Sequence, residues 1–287
     1  MHFVGVDLAW GEINQTGVAV VDADGRLLTI GTAQTDANIA DALAPYIEEE
    51  CLVAIDAPLI VRNATGHRPC ETALNRDYQK FDAGAHPANM GKREFAQTPR
   101  AARLADALGL DMNPQSQASR RAIEVYPHPA TIALFELGRI LKYKRGEVDS
   151  RRRDLLQLMT LIEGLDEATP RLRVNHYAAW VELRNRVAAA TRQVQLDSAE
   201  DPVDAVLCAY IALYAHRRPE DVTLYGDFDT GYIVTPTLPS HLAPTPRPRP
   251  IAESSRESGD LAQRLARAEA TLAALQDELA WIRTQLG

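Results

Sequence analysis

Cysteine is scarce in this chain. Cys51, Cys70 and Cys208 are the only three in 287 residues, odd in number and without a repeated spacing. That pattern excludes a disulfide framework and reads as reduced thiols of a cytoplasmic protein. No Cys-x-x-Cys pair exists, so His67, Cys70 and His86 do not compose a zinc motif. No apolar run approaches the roughly 18 residues that a membrane span requires. The N-terminus has neither the charged region nor the apolar core of a secretion signal. A cytoplasmic protein with no membrane partner is expected. Positive charge is also short: 31 Lys and Arg stand against 39 Asp and Glu, a net charge of -8. This excludes a generic, non-specific nucleic-acid binder but leaves room for a local basic groove. Gly91–Arg93 lacks the Walker spacing and no Ser or Thr follows it, which excludes a P-loop. No Gly-x-Ser-x-Gly elbow is present either.

What is present begins with "MHFVGVDLAWG". An apolar run, Phe3 to Val6, ends in a carboxylate, Asp7. "CLVAIDAPLIV" repeats the arrangement, with Asp56 after Leu52 to Ile55. Between them lie two β-branched runs, Gly17–Val21 and Arg26–Gly31, joined by "DADG". This turn predicts a hairpin. Thr35 and Asp36 stand where a helix cap belongs, and Ile39, Leu43 and Ile47 recur at helical spacing behind them. The order strand, hairpin, helix, strand predicts an α/β fold with a mixed sheet and a helix covering one face.

Residues 62–121 break this regularity. They mix Gly, Pro, His, Asn and Arg and carry ten Lys and Arg against six Asp and Glu. A net-positive segment of this length in an acidic chain predicts a partly helical insertion with a role of its own. A third strand follows in "RAIEVYPHPA" and reaches Glu124. Residues 130–190 read as helices. Within them "RILKYKRGEVDSRRR" is strongly basic, with Lys142, Lys144 and Arg145 available to a phosphate backbone or to a solvated helix face. In "DPVDAVLCAYIA", Asp201 is expected as an N-cap and Pro202 in the first helical turn. "TGYIVTP" is a last short strand.

Residues 237–258 are rich in Pro and Ser and read as a semi-extended linker. From 259 to 287 a heptad pattern runs through Leu265, Leu272, Leu279 and Leu286, with Leu261, Ala268, Leu275 and Ile282 between them. It predicts a coiled-coil helix. In a parallel register Arg264 faces Glu269, and Glu278 faces Arg283, so a homo-oligomer through residues 261–286 is expected.

The acidic positions share one logic. Asp7, Asp56 and Glu124 each end a strand-like run, while Asp201 and Asp204 lie three apart on one helix face. Strand ends and a helix start converge on one rim of a mixed sheet. Buried carboxylates side by side need positive charge between them. Mg2+ or Mn2+ would supply it through hard oxygen ligands, and two such ions ~4 Å apart can activate water and stabilise the leaving oxygen of a phosphodiester.

The stretches "GVDLAWG…TGVAVVD", "AIDAPLIV", "TGHRPCE", "GAHPAN", "EVYPHPA", "YK" and "DPVDAVLCAYIA…GYIVTP" together resemble the DUF429 family, described as predicted ribonuclease H-like nucleases. The resemblance covers residues 1–236. It implies a five-stranded mixed sheet flanked by helices. It points to Asp7, Asp56 and Asp204 as metal ligands, with Glu124 or Asp201 as the fourth, and to Arg68, His86 and Asn89 as groups facing substrate phosphate. The resulting expectation is a Mg2+-dependent hydrolase of DNA or RNA. A non-catalytic nucleic-acid-binding scaffold is the alternative. An actin-like phosphotransferase fits less well, because 236 residues leave no room for two such lobes.

Overall fold

The computed structural model describes residues 1–11 and 14–246. The expected coiled coil and its oligomer contacts, and the linker beyond residue 246, lie outside the described residues. Residues 237–246 carry no helix or strand.

Five strands make the central sheet, in the order β3-β2-β1-β4-β5. β1 (His2–Asp7) is antiparallel to β2 (Thr16–Asp22), and β2 is antiparallel to β3 (Leu27–Ala33). β4 (Cys51–Ile55) and β5 (Arg120–Glu124) extend the sheet in parallel beyond β1. The mixed five-stranded α/β architecture is the one the sequence predicts. β1 and β4 are apolar on both sides because the sheet is covered on both faces. Between β3 and β4, α1 (Asp36–Ile47) is capped by the Thr35 hydroxyl, which accepts from the Asn38 N–H. It buries Ile39, Leu43 and Ile47, the three residues its spacing marks.

The segment 62–121 is partly helical, with α2 (Pro69–Tyr78), α3 (Arg100–Ala107) and two short 3-10 turns. α4 (Pro127–Phe135), α5 (Val148–Gly164) and α6 (Ala178–Ala188) follow β5. The long α7 (Gln193–Arg217) packs against β1, β2, β3 and β4. β6 (Val222–Asp227) and β7 (Gly231–Pro236) form a separate antiparallel hairpin. "TGYIVTP" is thus a strand paired with β6, and it meets the main sheet through a parallel bridge between Val234 and Val125, just past β5.

α7 corrects one expectation. Asp201 is not an N-cap and Pro202 is not in a first turn, because the helix begins eight residues earlier. Its start is held by Gln195, whose Oε1 accepts from the Thr191 and Arg192 N–H groups at 2.9 and 3.0 Å. Pro202 therefore sits in a helix interior, where proline ordinarily costs a hydrogen bond and ring clearance. The sheet makes room for it. A Cβ on Gly17 would lie 2.0 Å from the Asp201 carbonyl oxygen, and one on Gly5 1.9 Å from that of Ala205. Only glycine lets β1 and β2 approach the helix this closely. Close approach in turn buries α7 almost completely from Pro202 to Leu213.

Candidate active site

The sheet register decides which carboxylates meet. Val6 pairs with Ile55, and Ile55 with Glu124. Asp7 and Asp56 each follow one residue later, and the Asp56 N–H donates to the Val6 carbonyl at 2.9 Å. Asp7 lies two residues from Gly5 and pairs with Gly17, so its side chain is on the face that α7 covers. Glu124 stands one pleat short, level with Ile55, and alternation turns it to the other face.

Asp204 completes the first group from α7 and is wholly buried. Tyr143 Oη donates to its Oδ1 at 2.7 Å, and Lys144 Nζ lies 2.6 Å from its Oδ2. The same ammonium is 3.7 Å from Asp7 Oδ2, a buried oxygen with no hydrogen-bond partner. Burial, reinforced by the Asp204 and Asp201 charges, pushes Asp7 up to about 7 against the pull of Lys144. Asp56 is held well above the carboxylate range by burial and by the Asp7 charge. Although burial opposes the charge of Lys144, Asp204 and Asp7 hold it well above the usual lysine range.

Next to this pair opens a cleft of about 390 Å³, lined among others by Asp7, Lys144, Glu200 and Asp201. Burial pushes both Glu200 and Asp201 up to about 7, partly offset by Lys144. Asp201 thus stands on the rim near Asp204, although it caps nothing. On the other side His128, in the first turn of α4, stacks on the Tyr143 ring with centroids 5.8 Å apart. Burial lowers it to about 4, so it is neutral at physiological pH.

Glu124 belongs to a second group. Arg68 grips it with two hydrogen bonds, Nη1–Oε2 at 2.9 Å and Nη2–Oε1 at 2.5 Å, and the Leu59 N–H donates to Oε2 at 2.8 Å. Arg68 Nε donates to Glu71, and its Nη1 also reaches the Ile60 carbonyl. Neither Arg68 nor Glu124 is more than 3% exposed. Arg68 is therefore buried rather than solvent-facing, although with Glu124 it lines the small cavity beside His86. Its fork is consumed in neutralising two buried glutamates. Asn89 is likewise turned inward, donating from Nδ2 to the Gly66 carbonyl at 2.9 Å. His86 is exposed at the mouth of a small cavity that Asp56, Glu124 and Tyr126 also line. Lys142 and Arg145 are exposed and flank Lys144.

Two more buried arginines, neither anticipated from the sequence, hold the loops that carry the first group. Arg100, from α3, donates through Nη1 to the Ala9 and Gly11 carbonyls at 2.8 and 2.7 Å, and through Nε to Asp36. This braces the chain just after Asp7. Arg151, from α5, donates through Nε to the Tyr143 carbonyl at 2.8 Å and through Nη2 to Asp197 and Glu200. It fixes the backbone next to Lys144. Arg68 and Arg100 give the 62–121 segment a concrete part: it sends one buried arginine to the loop after Asp56 and another to the loop after Asp7.

The donors of the first group are all hard carboxylate oxygens, and two of them, Asp7 Oδ2 and Asp204 Oδ2, meet no donor besides the Lys144 ammonium. That chemistry fits a divalent cation. Among the described residues no three His, Cys, Asp or Glu side chains stand ready around a single point. Between Asp7 and Asp204 the positive charge comes from Lys144.

The fold and its rim define an α/β protein with a buried acidic centre at the ends of two parallel strands. Residues 5–230 match the family described as protein of unknown function (DUF429), and the chain belongs to that family. No curated protein and no solved structure matches the chain. Among the described residues no helix is long and apolar enough to cross a membrane.

Proposed function

We propose that this chain is a metal-dependent nuclease of the ribonuclease H-like kind, hydrolysing phosphodiester bonds of DNA or RNA. One observation carries the reading. Adjacent parallel strands deliver Asp7 and Asp56 to the same face, and α7 brings the buried Asp204 against them. The sheet order, with β1 between an antiparallel hairpin and two parallel strands, is consistent with the five-stranded sheet the resemblance implies.

In this reading Asp7, Asp56 and Asp204 hold Mg2+ or Mn2+. Bound there, the metal would lower the pKa of a water and neutralise charge on the scissile phosphate. The protein's own groups do the rest. Tyr143 fixes the Asp204 carboxylate through Oδ1 and leaves Oδ2 to face the centre. Glu200 and Asp201, poised near neutrality, exchange protons at their carboxylate oxygens on the cleft side. Lys142 and Arg145 attract the polyanion locally in an acidic protein, so binding weakens as salt rises. Asp197, Glu200 and Asp201 repel it from the remainder of the cleft. Glu124 is assigned to the framework with Arg68, not to the metal. Assembly through residues 261–286 would bring two such centres to one substrate.

The test is cleavage of a panel of single-stranded, double-stranded, hybrid and junction DNA and RNA, with Mg2+, Mn2+ or chelator. The reading requires metal-dependent cleavage that is lost in Asp7→Asn. Metal-independent binding without cleavage of any substrate would instead favour the non-catalytic scaffold.

A further inference from the structure

We propose, on the basis of the metal-centre reading above, that Lys144 is a resident counter-ion which a divalent cation must displace. The ammonium and the cation compete for the same two oxygens. Asp7 Oδ2 and Asp204 Oδ2 are both buried, and no donor other than the Lys144 ammonium stands against either. The nearest positive charge to each is Lys144 Nζ, at 3.7 and 2.6 Å. The other oxygen of Asp204 is already committed to Tyr143. A cation entering the centre therefore needs the oxygens that Lys144 now faces, and two positive charges do not share them.

The surroundings allow the exchange. Arg151 holds the Tyr143 carbonyl at 2.8 Å, so the backbone stays while the side chain moves. The Lys144 side chain is 31% exposed and runs on a flexible four-carbon stem, so it has an exit. The exit leads into the cleft where Glu200 and Asp201 stand, and both already feel its charge. The displaced ammonium moves from one pair of carboxylates to another without crossing apolar ground. In the metal-free protein Lys144 offsets the repulsion of two buried aspartates. In the metal-bound protein it is released toward the open cleft, where an anionic substrate would meet it.

The experiment uses the full chain and Mn2+ as the probe, followed by electron paramagnetic resonance. Lys144→Met keeps the stem and removes the charge. It should bind Mn2+ roughly tenfold more tightly than the wild type, a factor ordinary for two ligands coupled through one site. Lys144→Arg, which keeps the charge and grips carboxylates more firmly, should bind Mn2+ more weakly than the wild type. Because loss of the charge can compromise folding, the wild type is also examined by nitrogen NMR of its lysine ammonium groups. The Lys144 resonance, identified by its absence in Lys144→Arg, should be protected without metal and should vanish as Mg2+ saturates. Equal Mn2+ affinity in wild type and Lys144→Met, or a Lys144 resonance that persists in saturating Mg2+, overturns the competition and leaves the metal centre standing. Absence of Mn2+ binding in wild type and Lys144→Met alike overturns the metal centre itself, and the competition with it.

Discussion

Arg68 and Glu124 form a two-pronged ion pair inside the protein, with bonds of 2.9 and 2.5 Å and both side chains almost wholly buried. Removing one partner of such a pair leaves an uncompensated buried charge and costs about 3–5 kcal/mol. Here two carboxylates depend on the one guanidinium, since Glu71 also accepts from Arg68. Arg68→Met should therefore lower the free energy of urea unfolding by at least that amount. His86→Ala, at an exposed position, should change it by no more than about 0.5 kcal/mol. Wild-type stability in Arg68→Met would show that the pair is not structural.

The glycines beneath α7 make a second, independent prediction. A methyl group on Gly5 would meet the Ala205 carbonyl and the Ala209 nitrogen, which are helix backbone and cannot rotate away. Gly5→Ala should cost about 3 kcal/mol or more, at the upper end of overpacking. Gly31→Ala, where a Cβ would meet nothing within 4 Å, is the matched control in the same sheet. Thermal unfolding of the pair separates close approach from a general intolerance of alanine.

Asp7 and Asp204 should respond oppositely to neutralisation. Burial works against the charged form of Asp7, which titrates at about 7, so at pH 8 the folded protein carries a cost that asparagine would not. Asp7→Asn should leave metal-free stability unchanged or raised while abolishing the proposed cleavage. Asp204→Asn removes the partner of Lys144 at 2.6 Å and should cost about 3 kcal/mol. Differential scanning calorimetry in chelator at pH 8 checks both, and a large loss in Asp7→Asn would contradict the assignment.

The pH dependence follows from the same carboxylates. Asp7, Glu200 and Asp201 are raised to about 7 from values near 4 in the unfolded chain. Between these limits the folded state binds more protons than the unfolded state. Their contribution to stability is therefore full below about pH 4, declines as pH rises, and is gone above about 7. Metal affinity at the proposed centre should run the other way, because ligands must shed protons to bind. Metal-free thermal stability should fall from pH 5 to pH 8, and the gain on adding Mn2+ should grow over the same interval.

How far the sequence discloses this protein depends on distance along the chain. The strand-end aspartates, the hairpin and the Thr35-capped helix are written in local patterns of apolar residues, turns and caps. All three elements stand where those patterns put them. The start of α7 misleads, because Asp-Pro is a strong local signal for a helix N-terminus. It is overridden here by two glycines more than 180 residues upstream that let the sheet accept Pro202 inside the helix. β6 is hard to read locally because it is short and largely exposed, although "GDFDTG" is a hairpin turn signal. The arginines are the larger gap. Arg68 sits among Gly, Pro and His and reads as a surface side chain, and nothing near Arg100 or Arg151 marks either as buried. Each is buried only because its partners arrive from distant elements: Glu124 for Arg68, the Ala9–Gly11 loop for Arg100, Asp197 and Glu200 for Arg151. The sequence likewise offers Lys144 as one of several basic residues. Its place between Asp7 and Asp204 is a property of the fold alone.

The most direct measurement is a crystal of the full chain soaked in Mn2+ and examined by anomalous scattering at the manganese edge. The account predicts a peak among Asp7, Asp56 and Asp204, with Lys144 moved off Asp204. A map without such a peak at saturating Mn2+, with Lys144 still on Asp204, would contradict it.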